Sequence, residues 1–230
     1  MKYFAYGSNC SAAVMSKKKV AFSDRKRAVL RGYRLRFNKV AFRESLPEGL
    51  AFANIEPDAE GCVEGILYEL SGDQLERLDA TERYPDHYDR IGVTVEAGGV
   101  DNECWTYRAQ PDKTAEGLAP SRNYLNHILA AKDFLSVQYY EALDRAQTYH
   151  GECSCCHGTA EAIFIRERDN LFMLCQSCRE ARLLWGDVRG RKLTVGDAEA
   201  VMTRLVQSGD GFSSVQEVIA EAIKQKIIDP

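Results

Sequence analysis

The sequence predicts an α+β protein: a closed, strongly bent sheet with flanking helices, then a small cysteine-rich module and C-terminal helices. Three observations carry this. Residues 1–150 hold six strand-like runs with few helical segments between them, which suits a closed sheet better than a doubly wound α/β layout. Two helix-like segments close that part. Five of the eight cysteines then crowd into positions 153–178.

The first strand covers residues 2–6 and runs into Gly7-Ser8-Asn9, residues that favour tight turns with exposed backbone N–H groups. Such a turn can cradle a carboxylate or a developing oxyanion. Further strands are expected over 33–40, 51–55, 63–70, 91–95 and 103–108, from β-branched and aromatic content and from alternation such as Ile91/Val93/Val95. Pro47-Glu48-Gly49, Glu60-Gly61 and Gly98-Gly99 punctuate them.

Ser71-Gly72-Asp73-Gln74 reads as a capping box that starts a helix. Leu75, Leu78 and Glu82 then fall at i, i+3 and i+7, on one face, and Tyr84-Pro85 ends the helix. The face that buries the two leucines carries Glu82 inward. One explanation is structural: a frayed end turned to water, or a pair with Arg83 or Arg90. The other is functional: burial raises the carboxyl pKa, as suits a proton shuttle. After the last strands, Pro120-Ser121 caps a helix with Tyr124, Ile128 and Ala131 on one stripe. Val137, Tyr140 and Leu143 mark a second helix.

His150-Gly151-Glu152 begins something different, so the boundary falls between 1–149 and 150–230. Cys153-x-x-Cys156 and Cys175-x-x-Cys178, separated by 18 residues, have four-thiolate zinc spacing. Cys155 or His157 remains an alternative to Cys156. Apolar segments 162–166 and 171–175 flank a polar turn and read as a hairpin; residues 179–185 read as a helix. Knuckle, hairpin, knuckle and helix resemble a treble-clef or zinc-ribbon finger. Its zinc is structural, because four thiolates leave no position for water. Amphipathic helices are expected near 195–206 and 215–228, the second capped by Ser213-Ser214.

Composition narrows the function classes. The 230 residues are 45% hydrophobic and 28% charged, ordinary for a globular protein. No run of about 18 apolar residues exists, so no membrane span is expected. The N-terminus lacks a signal-peptide pattern, and the reading is cytoplasmic. Residues 1–46 hold 12 basic and 2 acidic side chains, against 8 and 21 in residues 47–152. The basic part suits an anionic substrate, and equally a solvated face balanced by the acidic middle. The cysteine module is near neutral, which argues against nucleic acid despite Arg179, Arg182, Arg189, Arg191 and Lys192. Stabilising the tail or contacting a protein fits it better.

Two motifs carry a resemblance: Tyr6-Gly7-Ser8-Asn9 at the end of the first strand, and Leu78-Asp79-x-x-Glu82 about seventy residues later. Together they resemble the AIG2-like gamma-glutamylcyclotransferase family. The likeness extends over roughly residues 2–147, including Pro120-Ser121 before a tyrosine-bearing helix. It implies that family's mixed β-barrel with flanking helices. The implied reaction cyclises a small-molecule gamma-glutamyl amide to 5-oxoproline without a cofactor, in the setting of glutathione metabolism. It further implies Glu82 as the catalytic proton shuttle. Tyr3, Phe4, Ala5, Tyr6, Gly7, Ser8, Asn9 and Tyr124 would bind substrate, with Tyr88 a weaker candidate. The chain departs from the family at Arg83, where Gly is usual, and at Cys10, where Leu or Met is usual. Two rival readings stand beside this one. The first is a gamma-glutamyl-removing tailoring enzyme of a natural-product or amine pathway. The second is a zinc-dependent binding or regulatory protein with a relic barrel.

Overall fold

In the computed structural model, residues 1–41, 46–154, 157–167 and 170–179 are described. Of the expected helices, those near 195–206 and 215–228 and all but the start of 179–185 lie outside these residues. The chain divides into two compact units, Met1–Gln147 and Thr148–Pro230.

The first unit is a five-stranded closed barrel in the order β1-β3-β2-β4-β5. Strand β1 spans Lys2–Ala5, β2 Asp24–Val40, β3 Ala51–Glu69, β4 Tyr88–Ala97 and β5 Val100–Ala109. All neighbours are antiparallel except β1 and β5, which close the barrel through a parallel pairing of Tyr3 with Trp105. Tyr3, Phe4 and Ala5 are all buried, so β1 does not alternate between core and solvent. A strand covered on both faces reads as a continuous apolar run.

Two expected strands, 51–55 and 63–70, are one strand, and β2 starts nine residues earlier than its pattern indicated. Glu60-Gly61 does not end β3. The β2–β3 register shifts between Arg31 and Tyr33, opposite this segment. A Cβ on Gly61 would lie 2.4 Å from the Tyr33 carbonyl oxygen. Gly61 therefore permits a close backbone approach at a bulge, where local sequence alone reads a turn.

Helix α1 covers Ala12–Lys17, with the Ser11 hydroxyl accepting from the Val14 amide. Helix α2 covers Gly72–Glu82 and buries Leu75 and Leu78. Full burial of each leucine contributes about 1.5–3 kcal/mol. The expected capping box is altered: the Ser71 hydroxyl donates to Asp73, and the Gln74 carbonyl accepts from the Ala21 amide at 2.8 Å. The helix stops at Arg83, which sits in the left-handed region at φ 54° and sends its amide back to the Ala80 carbonyl. Glycine takes that conformation without the Cβ penalty. Arg83 bears that cost at the end of the helix.

Helix α3 spans Arg122–Leu129 and buries Leu125, Ile128 and Leu129; the Ser121 hydroxyl caps it by accepting from the Tyr124 amide. Helix α4 spans Val137–Asp144 and buries Leu143, whereas Val137, expected on the inner stripe, is 68% exposed. Among the described residues no helix is long and apolar enough to cross a membrane.

The second unit begins with β6 (His150–Glu152) paired to β7 (Thr159–Glu161), a hairpin that the sequence did not reveal. The expected hairpin is β8 (Ile163–Glu167) with β9 (Asn170–Leu174). Residues 176–179 are helical.

Candidate functional site

The site is assembled at one end of the barrel, where β1 runs into the turn Gly7 to Asn9. The turn is a short 3-10 helix, Ser8–Cys10, closed by the Cys10 amide donating to the Gly7 carbonyl at 2.9 Å. Tyr3, Tyr6, Gly7, Ser8 and Asn9 line a pocket there with Ala53, Glu82, Tyr88, Tyr107 and Tyr124. Its free space is about 30 Å³ and open to solvent. That is room for little more than water. A wider groove of about 710 Å³ on the barrel, between Tyr33, Val93 and Trp105, shares no residue with this pocket.

The expected site residues divide cleanly. Tyr3, Tyr6, Gly7, Ser8, Asn9, Glu82 and Tyr124 converge, and so does Tyr88. Phe4 and Ala5 do not line the pocket. Both are fully buried in the core, with the Phe4 carbonyl accepting from the Thr106 hydroxyl and the Ala5 carbonyl from the Cys10 thiol. Alternation along β1 explains Phe4, which faces away from the side on which Tyr3 lines the cavity, whereas Ala5 shares the face of Tyr3 and is covered by the core. Cys10 is buried core, and burial pushes its thiol up to about 12.

Glu82 is the last residue of α2, and its side chain is 17% exposed. Its partner is neither Arg83 nor Arg90. Oε1 accepts from Lys18 Nζ at 2.7 Å and from Asn9 Nδ2 at 3.0 Å. Lys18 Nζ also donates to Asn9 Oδ1 at 2.8 Å, so lysine, asparagine and glutamate form a closed triangle. Asn9 is 4% exposed; its side-chain amide donates also to the Tyr3 hydroxyl at 2.8 Å, and its backbone carbonyl accepts from the Tyr68 hydroxyl at 3.0 Å. Every polar atom of its side chain thus positions another group, as a buried amide must.

Asp79, one helical turn before Glu82, anchors the pocket wall. It accepts from the Tyr107 hydroxyl at 2.7 Å and from Arg90 Nη1 at 2.5 Å. The Leu-Asp-x-x-Glu spacing therefore places a structural carboxylate and a pocket carboxylate on adjoining turns of one helix face. Across the cavity, Ala53 is gripped from both sides. Its amide donates to the Tyr124 hydroxyl at 3.0 Å, and its carbonyl accepts from the Tyr88 hydroxyl at 3.0 Å. Because Tyr124 accepts there, its own proton is left to donate elsewhere.

Burial holds all five pocket phenols above the ordinary tyrosine range. The next largest cause is the Glu82 charge for Tyr3, Tyr124 for Tyr6 and Tyr88, and the Asp79 hydrogen bond for Tyr107. For Tyr124, the Ala53 amide opposes burial without overcoming it. The five remain protonated through the neutral range, a wall of neutral hydroxyls around one carboxylate.

Sequence reasoning missed Lys18, Tyr107 and Ala53. Lys18 sits within Lys17-Lys18-Lys19, which reads as a solvated run, and its neighbours are indeed exposed. Nothing local separates the inward lysine from the other two.

Known proteins of one family resemble this chain. The family model described as "Gamma-glutamyl cyclotransferase, AIG2-like" matches residues 3–126. A Drosophila melanogaster protein named "Putative gamma-glutamylcyclotransferase CG2811" is 36% identical over 67 residues, 28% of this chain and 43% of that protein. The match thus spans less than half of that relative's length. A solved structure described as gamma-glutamyl cyclotransferase superposes with a TM-score of 0.55 at 24% identity, covering 64% of this chain and 88% of that one. At that identity the likeness speaks for the fold. YkqA from Bacillus subtilis superposes with the same TM-score at 32% identity, covering 63% of this chain and 53% of its own. With more than half of its residues matched by the family model, the chain belongs to the AIG2-like gamma-glutamyl cyclotransferase family.

Proposed function

We propose that this protein cyclises gamma-glutamyl amides to 5-oxoproline, releasing an amine or amino acid, with Glu82 carrying the protons. The observation behind this reading is a single carboxylate at the mouth of a pocket of neutral hydroxyls and backbone amides. Lactam formation asks for little more. The substrate's α-nitrogen attacks its own side-chain carbonyl carbon. A nitrogen–carbon bond forms, and the amide bond to the leaving amine breaks. The α-ammonium gives up two protons as it becomes a lactam N–H, and the leaving nitrogen gains two as it departs as an ammonium. Glu82 takes each from the first nitrogen and delivers it to the second. Because the attack is intramolecular, the remaining task is to fold the substrate into an attack geometry.

The chain's residues divide that work. Lys18 and Asn9 fix the Glu82 carboxylate. The turn at residues 6–9 offers backbone N–H groups to the substrate carboxylate or the developing oxyanion. Tyr124 donates its proton to the glutamyl group. No metal or organic cofactor enters this scheme.

The test is mass spectrometry of a gamma-glutamyl compound panel incubated with the full chain in H₂¹⁸O. 5-Oxoproline without ¹⁸O is expected from at least one compound. Release of ¹⁸O-labelled glutamate would mean hydrolysis, and no product from any compound would sink the reading. The panel also identifies the amine released.

Gly7→Val tests the turn. A Cβ at Gly7 would lie 3.1 Å from the Tyr124 hydroxyl and 3.4 Å from the Ala53 Cβ, and valine adds two methyl groups in the same space. Tyr124 should leave the Ala53 amide and the pocket should narrow. We expect kcat/KM to fall by about 10²-fold, the scale of a 1 Å misplacement. Unchanged kinetics in a folded variant would make the turn scaffold only.

A further inference from the structure

We propose that the second unit holds one structural zinc ion through the thiolates of Cys153, Cys156, Cys175 and Cys178. The Sγ atoms of Cys153, Cys175 and Cys178 all lie within 4.8 Å of one another, although the first two are 22 positions apart in sequence. Tetrahedral coordination with zinc–sulfur bonds of ~2.3 Å asks for sulfur–sulfur distances of ~3.8 Å, within that limit. Cys153 and Cys178 are 0% and 1% exposed.

Two amides point at sulfur. The Cys175 N–H donates to Cys153 Sγ and the Cys178 N–H to Cys175 Sγ, both at 3.4 Å. Neutral thiols are weak acceptors, and amides aimed at them suit the thiolate form. A divalent cation at the centre of the three sulfurs would offset the cost of ionising these thiols together.

The second knuckle indicates the fourth ligand. Its two sulfurs stand at i and i+3, with the later amide turned to the earlier sulfur. The same offset from Cys153 falls on Cys156, which lies outside the described residues. His157, the nitrogen alternative, has no ring nitrogen grouped with the sulfurs of Cys153, Cys175 and Cys178. Its side chain is 62% exposed with Nδ1 at 2.9 Å from Glu152, and its amide donates to the Cys153 carbonyl at 2.9 Å.

The ion would tie the β6–β7 hairpin to the end of β9. A two-stranded hairpin of three or five residues per strand is marginal by itself, and these are the only strands of the unit among the described residues. Zinc binding energy here is folding energy for the second unit. Glu82 and every residue lining its pocket precede Gln147. No cysteine of the second unit has a role in the proposed chemistry, so the metal assignment does not depend on that reading.

The test uses the full chain reconstituted with zinc under reducing conditions, with metal measured by mass spectrometry. One zinc per chain is expected. Cys156→Ser, Cys175→Ser and Cys178→Ser should each lower zinc affinity by at least tenfold in chelator competition, while Cys155→Ser and His157→Ala should leave it unchanged. Should the serine variants not fold, cobalt(II) titration of the unaltered chain decides. Its sulfur-to-cobalt charge-transfer band should report four thiolates in a tetrahedral field. Substoichiometric metal in the reconstituted chain, a nitrogen ligand in the cobalt spectrum, or full zinc retention in Cys156→Ser would each overturn the assignment. The structural role has its own check: a folded, zinc-free Cys175→Ser/Cys178→Ser chain should lose only a modest part of the rate of a cyclotransferase-active parent. A complete loss would place the metal in the active site.

Discussion

Glu82→Gln should keep the fold and lose 5-oxoproline formation by about 10²–10⁴-fold in kcat, the range for removing a general acid–base. The substitution is nearly isosteric. The Gln carbonyl oxygen can still accept from Lys18 and Asn9, so the triangle keeps its shape while losing the group that takes up a proton. Lys18 loses its counter-charge in a largely buried site but keeps Asn9 Oδ1 and the Gln oxygen as acceptors, so the fold should survive with a measurable loss of stability. A fall in kcat with KM nearly constant would mark an interaction made in the transition state. Steady-state kinetics beside a circular dichroism melt reads both. Retention of more than about a tenth of the rate would sit below the range for acid–base catalysis and exclude Glu82 as the shuttle.

Gly65→Ala should destabilise the barrel by ~3 kcal/mol or more, at or above the usual cost of overpacking. A Cβ there would lie 2.2 Å from the Ala5 carbonyl oxygen and 2.9 Å from two ring carbons of Phe4. The ring has no room to swing away, because Phe4 is fully buried. The Ala5 carbonyl is backbone and accepts from Cys10, and Ala5 pairs with Ile66 in the β1–β3 ladder. Relief therefore means moving β1, whose end becomes the Tyr6–Asn9 turn. Catalysis should fail with stability. For a chain of this size the midpoint of thermal unfolding should drop by about 6–12 °C. An unaltered midpoint would show that β1 and β3 can separate at no cost.

These two positions show what was legible. The inward face of Glu82 was legible because helical periodicity is local: the apolar stripe of Leu75 and Leu78 labels the face that Glu82 shares, while its catalytic role came from the family resemblance. Gly65 was not found, because its constraint comes from a strand sixty residues away. Lys18 was invisible for the same reason. Its two flanking lysines share its chemistry and its local context, and only the approach of α2 to the end of α1 makes one of them the partner of Glu82.

The sequence by itself determined the strand-turn at Tyr6 to Asn9, the helix bearing Asp79 and Glu82, the capped helix bearing Tyr124, and the paired cysteines as a candidate metal set. Each is specified by residues within one or two turns or pleats of one another, where dihedral preference, periodicity and capping act. The tertiary structure decided which of these residues meet. It turned Phe4 and Ala5 into core, joined two expected strands through the Gly61 bulge, and closed a tyrosine wall from β1, β4, β5 and α3 around one carboxylate. It also brought Cys153 to Cys175 and Cys178. Those outcomes depend on packing and register between distant segments, which no local pattern encodes.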